Sequence, residues 1–206
     1  MPPDDRRAQI IARSTDLFLE QGFAGTSMSS IAKTCGITKA SLYHHFAGKD
    51  DLFIACVTSG YQHALDTLQD IIAQPDKTAA EKLTVAMAIL YDTTISSPVG
   101  RMSPLIAEVS RTFPNVARSF HSDYIAPQQD LVWTLIEAGQ QAGEFTPVDR
   151  GLLFHVLFGP IVTLSLSREM FAGFDDLDDH FPVDRLRDGH LGVVLEMLGA
   201  SRPGSD

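Results

Sequence analysis

The sequence predicts an all-α protein of about nine helices, with a three-helix N-terminal head over residues 1–53 and a larger helical domain over residues 54–206. Three observations carry this. Apolar residues recur at helical spacing through most of the chain. No strand-like alternation bounded by turn signals occurs anywhere. Glycine or proline stands where one helix should give way to the next. With 44% hydrophobic residues, 20% charged residues and a mean hydropathy of +0.02, the 206 residues suffice for a real core. Cys35 and Cys56 lie in apolar helical patterns, with no C-x-x-C and no histidine at metal spacing. That suits buried thiols in a reducing compartment, so the expected location is the cytoplasm, and neither metal nor cofactor is expected.

Taken in order, Arg6 to Gln21 places Ile10, Ile11, Ser14, Leu17 and Phe18 on one helical face, and Gly22 stops the helix. Thr26 or Ser27 can cap a second helix of about two turns, whose Met28, Ile31, Ala32 and Cys35 fall at i, i+3, i+4 and i+7 before Gly36 ends it. Thr38 caps a third short helix that buries Leu42, with Ile37 and Phe46 holding its ends. Thr38, Lys39, Ala40, Ser41, Tyr43 and His44 are left facing outward. Two short helices joined by a glycine-containing turn, the second polar on its free face, make a helix-turn-helix. Gly48 can cap a longer fourth helix through Leu52, Phe53, Cys56, Ala64, Leu65, Leu68, Ile71 and Ile72, with Asp50 and Asp51 favourably placed in its first turn.

Thr78 to Ile95 forms a fifth helix with Leu83, Met87, Leu90, Tyr91 and Thr94 along one side. Ser103 and Pro104 open a short sixth through Ile106 and Val109. Pro114 begins a long helix to about Ala142 that Pro127 should kink. Gly151 to Phe171 is apolar on every side, and Val183 to Leu198 carries a stripe too wide for one neighbour: Leu186, His190, Val193, Val194 and Met197, with Leu191, Leu195 and Leu198. A second copy of the chain is the simplest partner for both. The apolar run from Leu152 is too short to span a bilayer and holds His155, and MPPDDRRAQI lacks the apolar core of a signal peptide. No membrane association is expected.

Charge separates the two parts. The net charge is -10, yet residues 1–53 hold six Lys/Arg and six Asp/Glu, while the remainder holds ten and twenty. Gln21 to Lys49 contains Lys33, Lys39 and Lys49 and not one carboxylate, so an anionic partner can approach there without repulsion.

From Ala8 to Phe53, AQIIARSTDLFLEQGFAGTSMSSIAKTCGITKASLYHHFAGKDDLF resembles the DNA-binding domain of the TetR family of bacterial transcriptional regulators. It does so through G-F-x-x-T before the second helix, I-A within it, G-I-T into the third, L-Y-x-H-F, and the lysine opening the fourth. MSPLIAEVSRTFPNVARSF resembles, more weakly, a motif in one branch of the family's C-terminal domains. The resemblance implies a homodimer joined by an isologous four-helix interface of the last two long helices, a double-stranded DNA operator that two-fold symmetry makes roughly palindromic, and a C-terminal domain that senses a small-molecule effector. It also implies that Tyr43 points its hydroxyl at a phosphate. Lys39, Ser41 and His44 can donate to base edges or phosphates, and Ala40 allows close approach and a thymine methyl contact. Thr26 can offer hydroxyl and backbone N–H to a phosphate, and Lys49 adds a cation. Ala40, often Gly or Pro in the family, leaves the base preference open, and Gly48 stands where Ser is common.

For the effector, Met87, Tyr91, Phe120, Tyr124, Phe154 and Phe158 can line an apolar cavity with His121, Trp133 or His155 as polar anchors, although the same residues at helical spacing make ordinary core. No G-x-S-x-G, H-E-x-x-H or Walker A pattern supports an enzyme. The reading is a DNA-binding repressor released by its effector. A regulator answering to a protein or peptide is the alternative, and an enzyme using the C-terminal cavity a remote one.

Overall fold

The computed structural model describes residues 3–201; residues 1, 2 and 202–206, the outer ends of the two expected domains, lie outside it. The described residues are helical almost throughout and contain no strand. In chain order the helices are α1 (Pro3–Gly25), α2 (Met28–Cys35), α3 (Lys39–His45), α4 (Lys49–Ile72), α5 (Ala79–Tyr91), α6 (Ser103–Ser110), α7 (Pro114–Phe120), α8 (Ala126–Gln141), α9 (Arg150–Met170), α10 (Leu177–His180) and α11 (Val183–Met197). Each of the nine expected helices forms. The long one splits into α7 and α8 around a π-helical turn, His121–Ile125, just ahead of Pro127, whose missing N–H cannot continue the α ladder. A second π turn, Asp92–Ser96, extends α5 to the expected end. α10 is a single extra turn in the acid-rich connection before α11.

The chain divides into two compact units. The first runs from the N-terminus to His63 and includes Pro98–Ile125; the second comprises Ala64–Ser97 and the chain from Ala126 onward. In the first, Ile10, Ile11, Ser14, Leu17 and Phe18 of α1 are all buried, as their spacing requires. Phe18, Phe23, Phe53 and Phe113 interlock, with ring centroids 5.1 to 5.9 Å apart. Gly22 takes φ 69 and ψ 171, so α1 kinks there instead of stopping. Helix α6 packs against α1. Tyr61 of α4 stacks on Tyr124 at 3.8 Å between centroids with Phe120 alongside, and its hydroxyl donates to Val99 O. Burial pushes that phenol up to about 12.

The second unit is a helical bundle around Leu83, Met87, Leu90, Val132, Leu135, Leu153, Leu157, Val194 and Leu195. Thr78 caps α5 in a reciprocal box with Glu81, and Asp149 caps α9 by accepting from Leu152 N at 2.7 Å. Gly139 of α8 is required by close approach, because a Cβ there would come within 2.4 Å of Phe145 and 2.8 Å of Ala79. Helix α9 buries Leu153, Leu157, Ile161 and Leu164 on one side and exposes Leu152, Val162, Leu166 and Met170 on the other. With 21 residues it is, among the described residues, the helix long and apolar enough to cross a membrane by length and composition, where the apolar run alone looked too short.

Candidate nucleic-acid interface

Helix α2 is built by its ends. Ser27, not Thr26, is the N-cap: its hydroxyl accepts from Ser30 N at 3.0 Å while Ser30 Oγ accepts from Ser27 N at 3.0 Å. At the other end Gly36 adopts the left-handed conformation at φ 66. Its N–H reaches Lys33 O, and the next N–H, of Ile37, reaches Ala32 O, which closes a Schellman turn. Only a residue without a Cβ enters that conformation freely, so Gly36 sets the angle between α2 and α3. Arg6 and Arg13 add guanidinium donors to the last carbonyls of α2, Cys35 O at 3.2 Å and Thr34 O at 2.6 Å, complementing the negative end of the helix.

Thr38 caps α3, its hydroxyl accepting from Ser41 N at 3.1 Å. Leu42 is the buried residue of this helix and Phe46 closes it from below. Lys39, Ala40, Tyr43 and His44 are exposed along with Thr38, and Ser41 is half-buried. The Tyr43 ring is 48% exposed and lies 5.8 Å from the Lys39 ammonium, so a cation and a phenol share one face. That face has hydroxyl, amine and imidazole donors and no carboxylate, the complement of phosphate oxygens and of purine acceptors.

Two of the expected contact residues are turned inward. Thr26 is 1% exposed, and its hydroxyl donates to Gly22 O at 2.8 Å and Leu17 O at 3.3 Å, so that group is used within the loop. Lys49 Nζ donates to Phe23 O at 2.6 Å and Thr26 O at 2.8 Å and sits 4.2 Å from the centre of the Phe23 ring. Desolvation lowers its pKa. The Lys49 arrangement could not be read from the sequence, because its partners stand 26 and 23 residues earlier, and that of Thr26 turns on which of two adjacent hydroxyls is buried, although its partner Gly22 O is local. Both cysteines are free and buried, and burial raises both thiols, Cys56 to about 12, which removes the thiolate a redox sensor needs.

The residues expected to line one effector cavity fall into separate groups. Phe120, His121 and Tyr124 belong to the first unit, where Phe120 and Tyr124 pack on Tyr61 and His121 is exposed. Met87 is fully buried core of the second unit. Trp133, Phe154 and Phe158 form an edge-to-face chain, with the Arg150 guanidinium 5.2 Å from the rings of Trp133 and Phe154 and bonded to Asp130. Tyr91 and His155 instead line an open groove of about 680 Å³ with Val156, Pro160, Leu186 and Val193. At its floor His190 Nε2 meets Val156 O at 2.8 Å and Nδ1 meets the Tyr91 hydroxyl at 2.9 Å. The sequence reading placed His190 only in an apolar stripe. A histidine inside such a stripe is the signal that a buried polar partner waits on a neighbouring helix.

Residues 10–56 match the model of the bacterial regulatory proteins of the tetR family, over the helices whose geometry has just been described. Over those residues the chain is similar to the head of the tetR family. Over 77 residues it is 32% identical to the HTH-type transcriptional activator FasR of Mycolicibacterium smegmatis, covering 34% of this chain and 35% of that protein. Over 66 residues it is 35% identical to the regulator UidR of Escherichia coli K12, covering 32% and 34%. The chain thus spans about a third of the length of the curated relatives it matches. Likeness over the full length is one of fold. FadR of Bacillus subtilis, solved with stearoyl-CoA, superposes with a TM-score of 0.76 at 19% identity over 92% of this chain and 98% of that one. Salmonella enterica GusR superposes with a TM-score of 0.72 at 18% identity over 97% and 98%. The fold of the chain beyond residues 10–56 is thus shared with these two solved structures.

Proposed function

We infer that this chain is a TetR-family DNA-binding transcriptional repressor whose affinity for a roughly palindromic operator is released by a small-molecule effector. The exposed, carboxylate-free face of α3, held on the Schellman turn at Gly36 and anchored by Leu42 and Phe46, carries this reading. Lys39, Ala40, Ser41 and His44 are assigned to base edges and phosphates, and Tyr43 and Thr38 to the backbone. Recognition belongs to residues 1–53, and effector binding and dimerisation to residues 54–206. The protein acts in the cytoplasm, where the operator is.

The exposed apolar sides of α9 and α11 support a homodimer, since Leu152, Val162, Leu166, Met170, Leu186 and Val193 together leave a patch that a monomer in water would not keep open. Because B. subtilis FadR shares this fold and was solved with stearoyl-CoA, long-chain acyl thioesters are the first effectors to test. The deciding experiment is a mobility shift on DNA upstream of the chain's own gene, at two salt concentrations and against scrambled competitor. A shift that survives competitor, and that a ligand raising the melting temperature also abolishes, is expected. Binding that scrambled DNA competes away equally well would overturn the proposal.

A further inference from the structure

Lys49 opens α4, yet its ammonium is spent on the loop that joins α1 to α2. The two carbonyls it holds, Phe23 O and Thr26 O, lie 26 and 23 residues earlier in the chain, and the Phe23 ring covers a third side of the charge. This loop is where the backbone leaves helical geometry at Gly22, and it delivers Ser27, the N-cap on which α2 is hung. Phe23 is in turn wedged among Phe18, Phe53 and Phe113, so one wall of the Lys49 seat is rigid. Thr26 closes the loop on itself through Gly22 O, and Lys49 ties it to α4 by hydrogen bonds beside the packing of Phe23 on Phe53. Whatever fixes Ser27 fixes the start of α2, and the Gly36 turn passes that orientation to α3.

We propose that Lys49 is a positioning residue for DNA recognition: it clamps the α1–α2 loop to the start of α4 and so sets the presentation of α2 and α3, and it does not contact a phosphate. The proposal rests on the DNA-binding reading, and the two can fail separately. A phosphate contact contributes to the salt dependence of binding, and its loss flattens the slope of log K against log salt by about 0.9. A clamp contributes through the fraction of protein whose helices are correctly set, so its loss lowers affinity at every salt concentration and leaves the slope alone.

Lys49→Met keeps a stem of similar length over the Phe23 ring and removes the donors. It should weaken operator binding on the order of tenfold with an unchanged salt slope. A variant on the exposed α3 face, Lys39→Ala, is run in the same titration to show that one lost cation is resolved. Lys49→Arg separates the readings again: charge on a phosphate would be retained and affinity with it, whereas a planar guanidinium cannot reproduce the seat on both carbonyls. Hydrogen exchange on the DNA-free protein completes the test. Amides of residues 23–30 should exchange faster in Lys49→Met while those of α11 do not change. A slope flattened by about 0.9, undiminished affinity in Lys49→Arg, or unaltered exchange over 23–30 would each overturn the clamp. If the unmodified protein binds no operator, the functional reading falls, and the exchange experiment still decides the role of Lys49.

Discussion

The Tyr91–His190–Val156 chain has a defined proton arrangement. A backbone carbonyl can only accept, so His190 Nε2 carries the hydrogen toward Val156 O; in the neutral ring Nδ1 is then the acceptor, and the Tyr91 hydroxyl donates to it. Burial is the larger influence on this imidazole and holds it below its ordinary value of 6.5, although the bond to Val156 O acts the other way. Desolvation likewise raises the Tyr91 phenol to about 12, so both partners stay neutral near pH 7. Above pH 6.5 folded and unfolded chains both keep the ring neutral and the pair contributes fully. Below it the unfolded chain binds the proton first, and stability is lost as pH falls through the depressed folded value. The gap in melting temperature between the unmodified protein and His190→Gln should therefore narrow from pH 7 to pH 5. Comparing the two at each pH cancels the carboxylates common to both, and a gap constant across that range would show that His190 does not titrate as described.

For α2 and α3, stability lies in the ends more than in length. Helices of eight and seven residues are too short to persist alone, so caps and a few buried anchors decide whether they form. Ser27→Ala removes the acceptor for Ser30 N from an exposed box and should cost about 1 kcal/mol, measured by denaturant titration. Operator affinity should fall with it, because the same residue ends the loop that Lys49 grips. A loss below about 0.3 kcal/mol would mean that Ser30 alone satisfies this end of the helix. These ends were legible because they are local chemistry: Gly36 before Ile37, Thr38 three residues ahead of Ser41, Gly48 before two aspartates. Choosing Ser27 over Thr26 as the cap was not, since both have the right hydroxyl. The choice follows from Thr26 being buried against Gly22 O. The π turn at His121–Ile125 shows the same limit: Pro127 announces a disturbance in the helix, while its form depends on how the preceding turn packs around Tyr124.

Across the whole molecule, the acid surplus and the exposed aliphatic residues lie outside the exposed face of α3. Met170 is 77% exposed and Val193 56% exposed, on helices whose opposite sides are core. Val193→Glu should shift the protein toward monomer in sedimentation at micromolar concentration with little change in helix content, and should weaken operator binding, because a two-fold target rewards only a paired reader. An unmodified protein that sediments as a monomer would remove the basis for the palindromic operator.

Periodicity, caps and the glycine and proline stops are properties of neighbouring residues, and they were enough to place nine helices, the helix-turn-helix and the outward face of α3. Which polar side chains on those helices are free to meet a ligand is a different kind of fact. Lys49 and Thr26 carry the right groups for a phosphate, and packing used those groups inside the loop. Phe120, His121 and Tyr124 share helical spacing with the residues of a cavity, and packing put them in a different unit from Met87 and Phe158. His190 looked like part of a stripe until Tyr91 and Val156 O were brought to its two nitrogens. The partners of Lys49 and His190 stand 23 to 99 residues away, beyond the reach of any spacing rule, because burial selects them by position in space.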